Sequence, residues 1–151
     1  MVSATNVEGS KVERRVEGGV VVLEDARGSA RVEQVAPHVV LTTLTGRHTE
    51  GLARAISSEV EAVMKKSGAV HNFYDGWAQE GHDPPIRHHW QAWAEANKTR
   101  LRSTQMLYRP KNTIATMATT VANLVLGGSL TIHTSQAAFE AALRAARDDR
   151  S

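Results

Sequence analysis

Residues 38–74, "HVVLTTLTGRHTEGLARAISSEVEAVMKKSGAVHNFY", contain the pattern that decides the fold. A β-branched run at 38–44 precedes a stretch with apolar residues at helical spacing, and a second apolar run follows at 69–74. The apolar residues of the central stretch are Leu52, Ile56, Val60, Val63 and Met64. Thr49 is suited to cap the start of this helix and Gly68 to end it. The stretch therefore predicts two strands joined by a helix.

The same alternation continues on both sides of this unit. Upstream, the runs at 20–24 and 30–35 predict a hairpin that turns near Gly28. Downstream, the predicted elements are a helix at 84–97 capped by Asp83, a strand at 101–108, a helix at 112–128, a strand at 129–134 and a helix at 135–147 capped by Ser135. The order predicts one α/β domain with an N-terminal β-hairpin and a mostly parallel mixed sheet flanked by helices. Residues 1–17 are polar and are expected to form a flexible segment before a domain at 18–148.

The composition excludes several classes of protein. The 151 residues carry 41% hydrophobic and 23% charged side chains, which is typical of a globular domain. The absence of cysteine rules out disulfides, a thiolate nucleophile and a Cys-based zinc site. No apolar run approaches the roughly 20 residues of a membrane span, and no secretory signal opens the chain. We therefore expect a cytoplasmic protein with no membrane partner.

Residues 71–100 hold four of the seven histidines and all three tryptophans. A zinc site on a helix needs two ligands three or four positions apart, but His88 and His89 are adjacent and point in different directions. Ile86, Trp90, Trp93 and Asn97 instead form one stripe, which is typical of a helix packed on a sheet. The stretch is interpreted mainly as packing, with no cofactor and no metal.

Asp75 follows the apolar strand directly, where ligands bind in parallel α/β sheets. It is either a site residue or a cap for the loop after the strand. His71, His82 and Glu80 could supply a second acid or base, but their spacing singles out none of them. There is no GxGxxG, P-loop or GxSxG motif, so we expect no enzyme of those classes.

No acidic residue lies between Glu95 and Glu140, and the basic residues in that interval are Lys98, Arg100, Arg102, Arg109 and Lys111. Such a patch could hold a phosphate or a nucleic-acid backbone, or it could be solvated loop charge. The net charge of +2 and the few aromatic residues nearby argue against nucleic acid as a partner.

Three stretches in this order resemble a STAS-type domain of the SpoIIAA-like (STAS/SEC14-like) group of small bacterial proteins. They are "VVLTTLTGRHTEGLARAISSEVEAV" (39–63), "NFYDGW" (72–77) and "ATTVANLVLGGSLTIHTSQAAFEAAL" (118–143). The resemblance covers roughly residues 20–147. It implies a regulatory module that binds other proteins, such as the anti-sigma-factor antagonists. Those are switched by phosphorylation of a Ser or Thr in a motif like D-S-x-G, and this chain has no Ser or Thr between Tyr74 and Asn97.

The expected function is thus a non-enzymatic regulatory or scaffold module that binds another protein. The residues expected to contact that partner are Asp75, Trp77, His82, Arg87 and His88. The alternative is a small-molecule, lipid or metal-binding domain with a pocket near residues 71–89, in which His71, Asp75 and His82 contact the ligand. A homo-oligomer also stays open, because the apolar helix at 112–128 could pack on the sheet or on a second copy.

Overall fold

The computed structural model describes residues 3–7, 10–110 and 130–149. Within them, one eight-stranded sheet carries three helices. The strands are β1 (Ser3–Val7), β2 (Ser10–Glu17), β3 (Val20–Glu24), β4 (Gly28–Ala36), β5 (Val39–His48), β6 (Val70–His82), β7 (Leu101–Leu107) and β8 (Leu130–His133). The helices are α1 (Glu50–Ser67), α2 (Ile86–Asn97) and α3 (Gln136–Asp148). The order of the strands across the sheet is their order in the chain.

The sheet has an antiparallel half and a parallel half. The pairings from β1 to β5 are antiparallel, and those from β5 to β8 are parallel. The predicted hairpin is β3–β4, whose turn is closed by Asp25 Oδ1 accepting from the N–H groups of Arg27 and Gly28 at 2.8 and 2.9 Å. The α/β class and the mixed sheet are confirmed, and the parallel part begins at β5.

The sheet extends further toward the N-terminus than the sequence predicts. Strand β2 pairs with β3, and Val12 on β2 is only 2% exposed. Arg14, on the same strand, reaches Glu59 on α1 with Nε 2.7 Å from Oε2. The structure differs here from the expected flexible segment. The ion pair between Arg14 and Glu59, which are distant in sequence, stabilises the strand. Its many charged residues obscure the alternation of apolar residues that would have predicted it.

Helix α1 begins and ends where the sequence predicts. The Thr49 hydroxyl accepts from the Leu52 N–H at 3.1 Å, and Gly68 ends the helix with φ +88°. Its buried side is the predicted apolar face, where Leu52, Ile56 and Val60 are at most 1% exposed.

Strand β6 is longer than the predicted strand at 69–74. Residues 78–82 continue the parallel pairing with β5, so most of the expected loop at 75–85 is strand. Gly76 allows this extension, because a Cβ there would lie 2.5 Å from the ring of Tyr108. The pairing of β6 with β7 ends at Asp75, and the rest of β6 pairs with β5.

Helix α2 begins at Ile86, and Asp83 does not cap it as predicted. Pro85 is the N-cap, with no side-chain hydrogen bond, and the Asp83 carboxylate accepts from the backbone of α1 instead. The predicted packing stripe on α2 is confirmed: Ile86, Trp93 and Asn97 are buried, and Trp90 packs against the same core.

Alternate residues of the strands face two separate cores. On one face, Val40 and Tyr74 pack with α1 and α2. On the other, Val39 and Phe73 pack with α3, whose Phe139 meets the Phe73 ring edge-on at 5.5 Å between centroids. Both faces of the sheet are therefore covered by helices in the described part of the chain.

The C-terminal elements match the predicted ones where the structure describes them. Strand β8 pairs with β7, and the Ser135 hydroxyl caps α3 by accepting from the Ala138 N–H at 3.3 Å. The helix predicted at 112–128 lies outside the described residues. Among the described helices, none has the length and apolar character needed to cross a bilayer.

Candidate functional site

The carboxyl ends of β5 and β6 meet the N-termini of α1 and α2 at one end of the sheet. Ligand and partner sites of open α/β sheets lie at this end. Four polar side chains there bond to one another, three of them buried and Trp90 half-buried. They are His48, Tyr74, Gln79 and Trp90, hereafter the polar relay. None of these four is predicted from the sequence as a site residue.

The hydrogen bonds of the relay run in a single direction. The Trp90 indole N–H donates to His48 Nε2 at 3.2 Å, so Nε2 carries no proton. In a neutral imidazole the proton is then on Nδ1, which lies 3.0 Å from the Tyr74 hydroxyl and donates to it. Tyr74 donates in turn to Gln79 Oε1, and Gln79 Nε2 donates to the carbonyl of Gly81 at 3.2 Å. The relay is fully satisfied and fixes the tautomer of His48.

Burial sets the protonation states of the relay. It lowers the pKa of His48 from 6.5 to about 3, and the nearby His82 and His89 act in the same direction. Burial also raises the pKa of Tyr74 well above its usual value. Both groups are therefore neutral at pH 7, and the relay joins α2 to β5 and β6 without carrying charge.

A second group of contacts closes the same end of the sheet. Asp83, just after β6, receives a hydrogen bond from Arg47 Nε at 2.7 Å on one oxygen and from the Glu50 N–H at 3.0 Å on the other. Arg27 lies 3.9 Å from the same carboxylate. Burial alone would raise the pKa of Asp83, but the bonds from Arg47 and from the Glu50 backbone outweigh it and lower the pKa. Asp83 thus stays ionised at the N-terminus of α1, where the helix dipole favours an anion.

His82, Arg87 and His88 lie beside this group, and together with Arg47 we call them the carboxyl-end surface. Arg87 and His88 are exposed on the first turn of α2, and His82 is half-buried at the end of β6. Burial lowers the pKa of His82, and the charges of Arg47 and Arg87 lower it further, which places these groups within electrostatic reach of one another.

The other predicted site residues lie further back along β6. Asp75 Oδ1 accepts from the Trp77 N–H at 3.0 Å, so this carboxylate caps a bulge in the strand. Trp77 packs against the core under α3. His71 is near the start of β6, roughly 35 Å along the strand from His82 at the usual rise per residue.

The structure therefore does not bring His71, Asp75 and His82 into one pocket. His71 instead contacts Ser103 and Asp149, on the side of the sheet that α3 covers. Within the described ranges, no group of three or more His, Asp or Glu side chains is arranged to hold a metal ion.

The fold defined by this sheet and its helices is SpoIIAA-like. Two of the solved structures that match the chain are these. One is an uncharacterized protein of the DUF3478 family with a SpoIIAA-like fold from Shewanella loihica PV-4, with a TM-score of 0.55 and 10% identity over 93% of this chain and 98% of that chain. The other is the anti-sigma factor antagonist SpoIIAA in its unphosphorylated form, with a TM-score of 0.53 and 14% identity over 76% of this chain and 96% of that chain. No protein-family model and no curated protein sequence matches the chain. At these identities the likeness concerns the fold alone.

Proposed function

We propose that this protein is a non-enzymatic regulatory or scaffold module that acts in the cytoplasm by binding another protein. Its partner contacts the carboxyl-end surface. Asp75 and Trp77, which are also predicted to contact a partner, lie earlier on β6, the strand that ends at His82. The fold shared with an anti-sigma factor antagonist supports a role of this kind.

The observation that carries the proposal is the exposed pair Arg87 and His88 beside the hydrogen-bonded carboxyl end of the sheet. Arg87 and His88 project from the first turn of α2, and one turn later Trp90 is bonded to the buried His48. The first turn of α2 contains no acidic side chain. The exposed Arg87 guanidinium on this turn suits a partner with an acidic face, since charge complementarity sets orientation and the rate of encounter.

Regulation of this surface must differ from phosphorylation at the start of α2. Residues 75–96 contain no Ser or Thr, and Asp83, Pro84 and Pro85 occupy the turn before the helix. We propose that binding is constitutive, or is regulated on the partner.

The test is a charge reversal on the carboxyl-end surface. A partner is first captured from lysate of the source organism by cross-linking, and its Kd for the purified chain is then measured. The variant carrying Arg87→Glu and His88→Glu is expected to bind at least about tenfold more weakly, because like charges meet an acidic partner. Lys65→Glu with Lys66→Glu, on the last turn of α1 at the opposite end of the sheet, is the matched control.

Equal losses in both variants would overturn the proposed location. Native mass spectrometry of the untagged protein separates the remaining alternatives. A retained small molecule, lipid or metal would favour the ligand-binding function, and a dimer mass that the charge reversal abolishes would make a second copy the partner.

A further inference from the structure

A serine, a histidine and an aspartate form a hydrogen-bonded row at the end of the sheet opposite the carboxyl-end surface. His71 on β6 and Ser103 on β7 are register neighbours, with Ser103 Oγ 2.8 Å from His71 Nδ1. The other ring nitrogen, Nε2, lies 2.9 Å from Oδ2 of Asp149, which directly follows α3. We propose that Ser103 is a nucleophile that accepts an acyl group from an activated ester, with His71 as its base and Asp149 as the residue that positions His71.

The direction of the proton follows from the chemistry of the three groups. An ionised carboxylate can only accept a hydrogen bond, so Nε2 of a neutral His71 carries the proton and donates it to Asp149. Nδ1 then holds a lone pair, and the Ser103 hydroxyl donates to it. In this tautomer the serine proton points at its acceptor, as nucleophilic catalysis by serine requires.

A second serine–histidine pair in the chain lacks this direction. Ser57 Oγ lies 3.0 Å from His89 Nε2, but the Ser57 hydroxyl donates its proton to the Arg54 carbonyl, also at 3.0 Å. Ser57 must then accept from His89, so the imidazole cannot take the serine proton. Ser57 is also only 3% exposed. The chain thus contains its own control for a serine that is bonded to histidine but not activated.

Among the described residues, the row from Ser103 to Asp149 is partly open to solvent. Ser103 is half-buried, and the side chains of His71 and Asp149 are 15% and 32% exposed. The register skips Arg102, which forms a bulge beside Ser103, and its Nη1 lies 3.9 Å from Asp149 Oδ2. Because it lies beside that carboxylate, Arg102 offers a developing oxyanion at most a partly neutralised guanidinium. It is a weaker stabiliser than two aligned backbone N–H groups, so we expect slow, single acylation rather than rapid turnover.

The step balances without any further reactant. Ser103 Oγ attacks the ester carbonyl carbon while its proton passes to His71 Nδ1, and Asp149 stabilises the imidazolium. The tetrahedral intermediate collapses by breaking the bond to the leaving alcohol, which takes the proton from His71. The products are an acylated Ser103, a neutral His71 and the free alcohol.

The test uses the full chain and 4-nitrophenyl acetate. Release of 4-nitrophenolate is followed in time, and peptide mapping by mass spectrometry locates the acetyl group. We expect acetylation of Ser103, with Ser57 unmodified. His71→Ala should slow acetylation of Ser103 about 100-fold or more, the usual contribution of a general base. Asp149→Asn, at a half-exposed position that keeps a hydrogen-bond acceptor, should slow it at least about tenfold.

Three results would overturn the proposal: an unmodified Ser103, equal acetylation rates in the wild-type chain and in Asp149→Asn, or acetylation of Ser57 as fast as that of Ser103. The thermal midpoint of each variant is measured in parallel. A purely structural role for the row would lower the midpoint and leave the acetylation rate of the folded protein unchanged. Asp149→Asn keeps the test decisive if His71→Ala fails to fold.

Discussion

His48 lies between two hydrogen-bond partners that hold its imidazole in one tautomer. Trp90 donates to one ring nitrogen, and the other donates to Tyr74, whose hydroxyl continues the relay to Gln79. All four side chains are buried or half-buried, so each polar atom depends on its neighbour rather than on water. Removing one member leaves a buried polar group without a partner, which costs more than the bond itself contributes.

Tyr74→Phe tests this dependence. The substitution keeps the ring in the core but leaves Gln79 Oε1 and the His48 N–H without their bonds. We expect the free energy of unfolding to fall by about 1–3 kcal/mol, measured by urea denaturation at pH 7. In the double variant Tyr74→Phe with Gln79→Leu, the loss should be smaller than the sum of the two single losses, because the Gln79 acceptor is removed as well. Strict additivity would show that the relay is not coupled.

Residue patterns could not identify this relay. His48 and Gln79 are separated by the whole of α1 and most of β6, and neither lies at a spacing that marks a site. Their proximity depends on the parallel pairing of β5 with the extended part of β6. That extension lies in the stretch that is predicted to be a loop after the strand at 69–74. The sequence feature that could have indicated the relay is Tyr74 in the apolar run 69–74, because the hydroxyl of a buried tyrosine requires a hydrogen-bond partner.

At the level of elements, Asp83 joins three pieces of structure. Asp83 directly follows β6, and its carboxylate caps the first turn of α1 and pairs with Arg47 of β5. The sequence places a capping aspartate before two prolines, which predicts a cap for α2. The carboxylate binds α1 instead because the parallel strands bring the end of β6 to the start of α1, and a local pattern cannot register that contact.

Substitutions of Asp83 separate its two roles. Asp83→Ala removes both the cap and the ion pair, and we expect it to cost about 1–2 kcal/mol of unfolding free energy. Asp83→Asn keeps an acceptor for the Glu50 N–H but loses the charge, so its cost should be intermediate. For comparison, Thr49→Ala removes the other cap of α1 together with the hydrogen bond from the Thr49 hydroxyl to Asp25, and it should cost at least about 1 kcal/mol. If Asp83→Ala instead leaves α1 intact and frays α2 in hydrogen exchange, the assignment of the cap to α1 is wrong.

At the scale of the whole molecule, the alternation of strands and helices from residue 38 onward was sufficient to predict the class of fold. Helix α1 has both caps and a clear apolar face in its sequence, and α3 has its serine cap. Strand β2 was not predicted because Lys11, Glu13 and Arg15 face solvent, and Arg14 is paired with a helix that is distant in sequence. Local pattern thus predicted elements whose partners are apolar, and missed those whose partners are ionic.

Stability of the whole fold should fall with acid, mainly through His48. Its pKa is about 3 in the folded protein and 6.5 when unfolded, so the unfolded chain binds more protons between those values. Stability is therefore complete above about pH 6.5 and declines as pH falls toward 3, by roughly 4 to 5 kcal/mol from this group. The lowered pKa values of His82 and His89 act with the same sign.

Urea denaturation between pH 7 and pH 4 measures this slope. The variant His48→Asn should be less stable at pH 7, because Trp90 and Tyr74 lose their partner, but its stability should depend more weakly on pH. The exposed His88→Ala is the control and should keep the wild-type slope. A slope that His48→Asn leaves unchanged would mean that the acid sensitivity arises elsewhere in the fold. A shallow wild-type slope would mean that the folded protein binds a proton at His48 as readily as the unfolded chain. It would contradict the hydrogen bond that Trp90 donates to His48 Nε2.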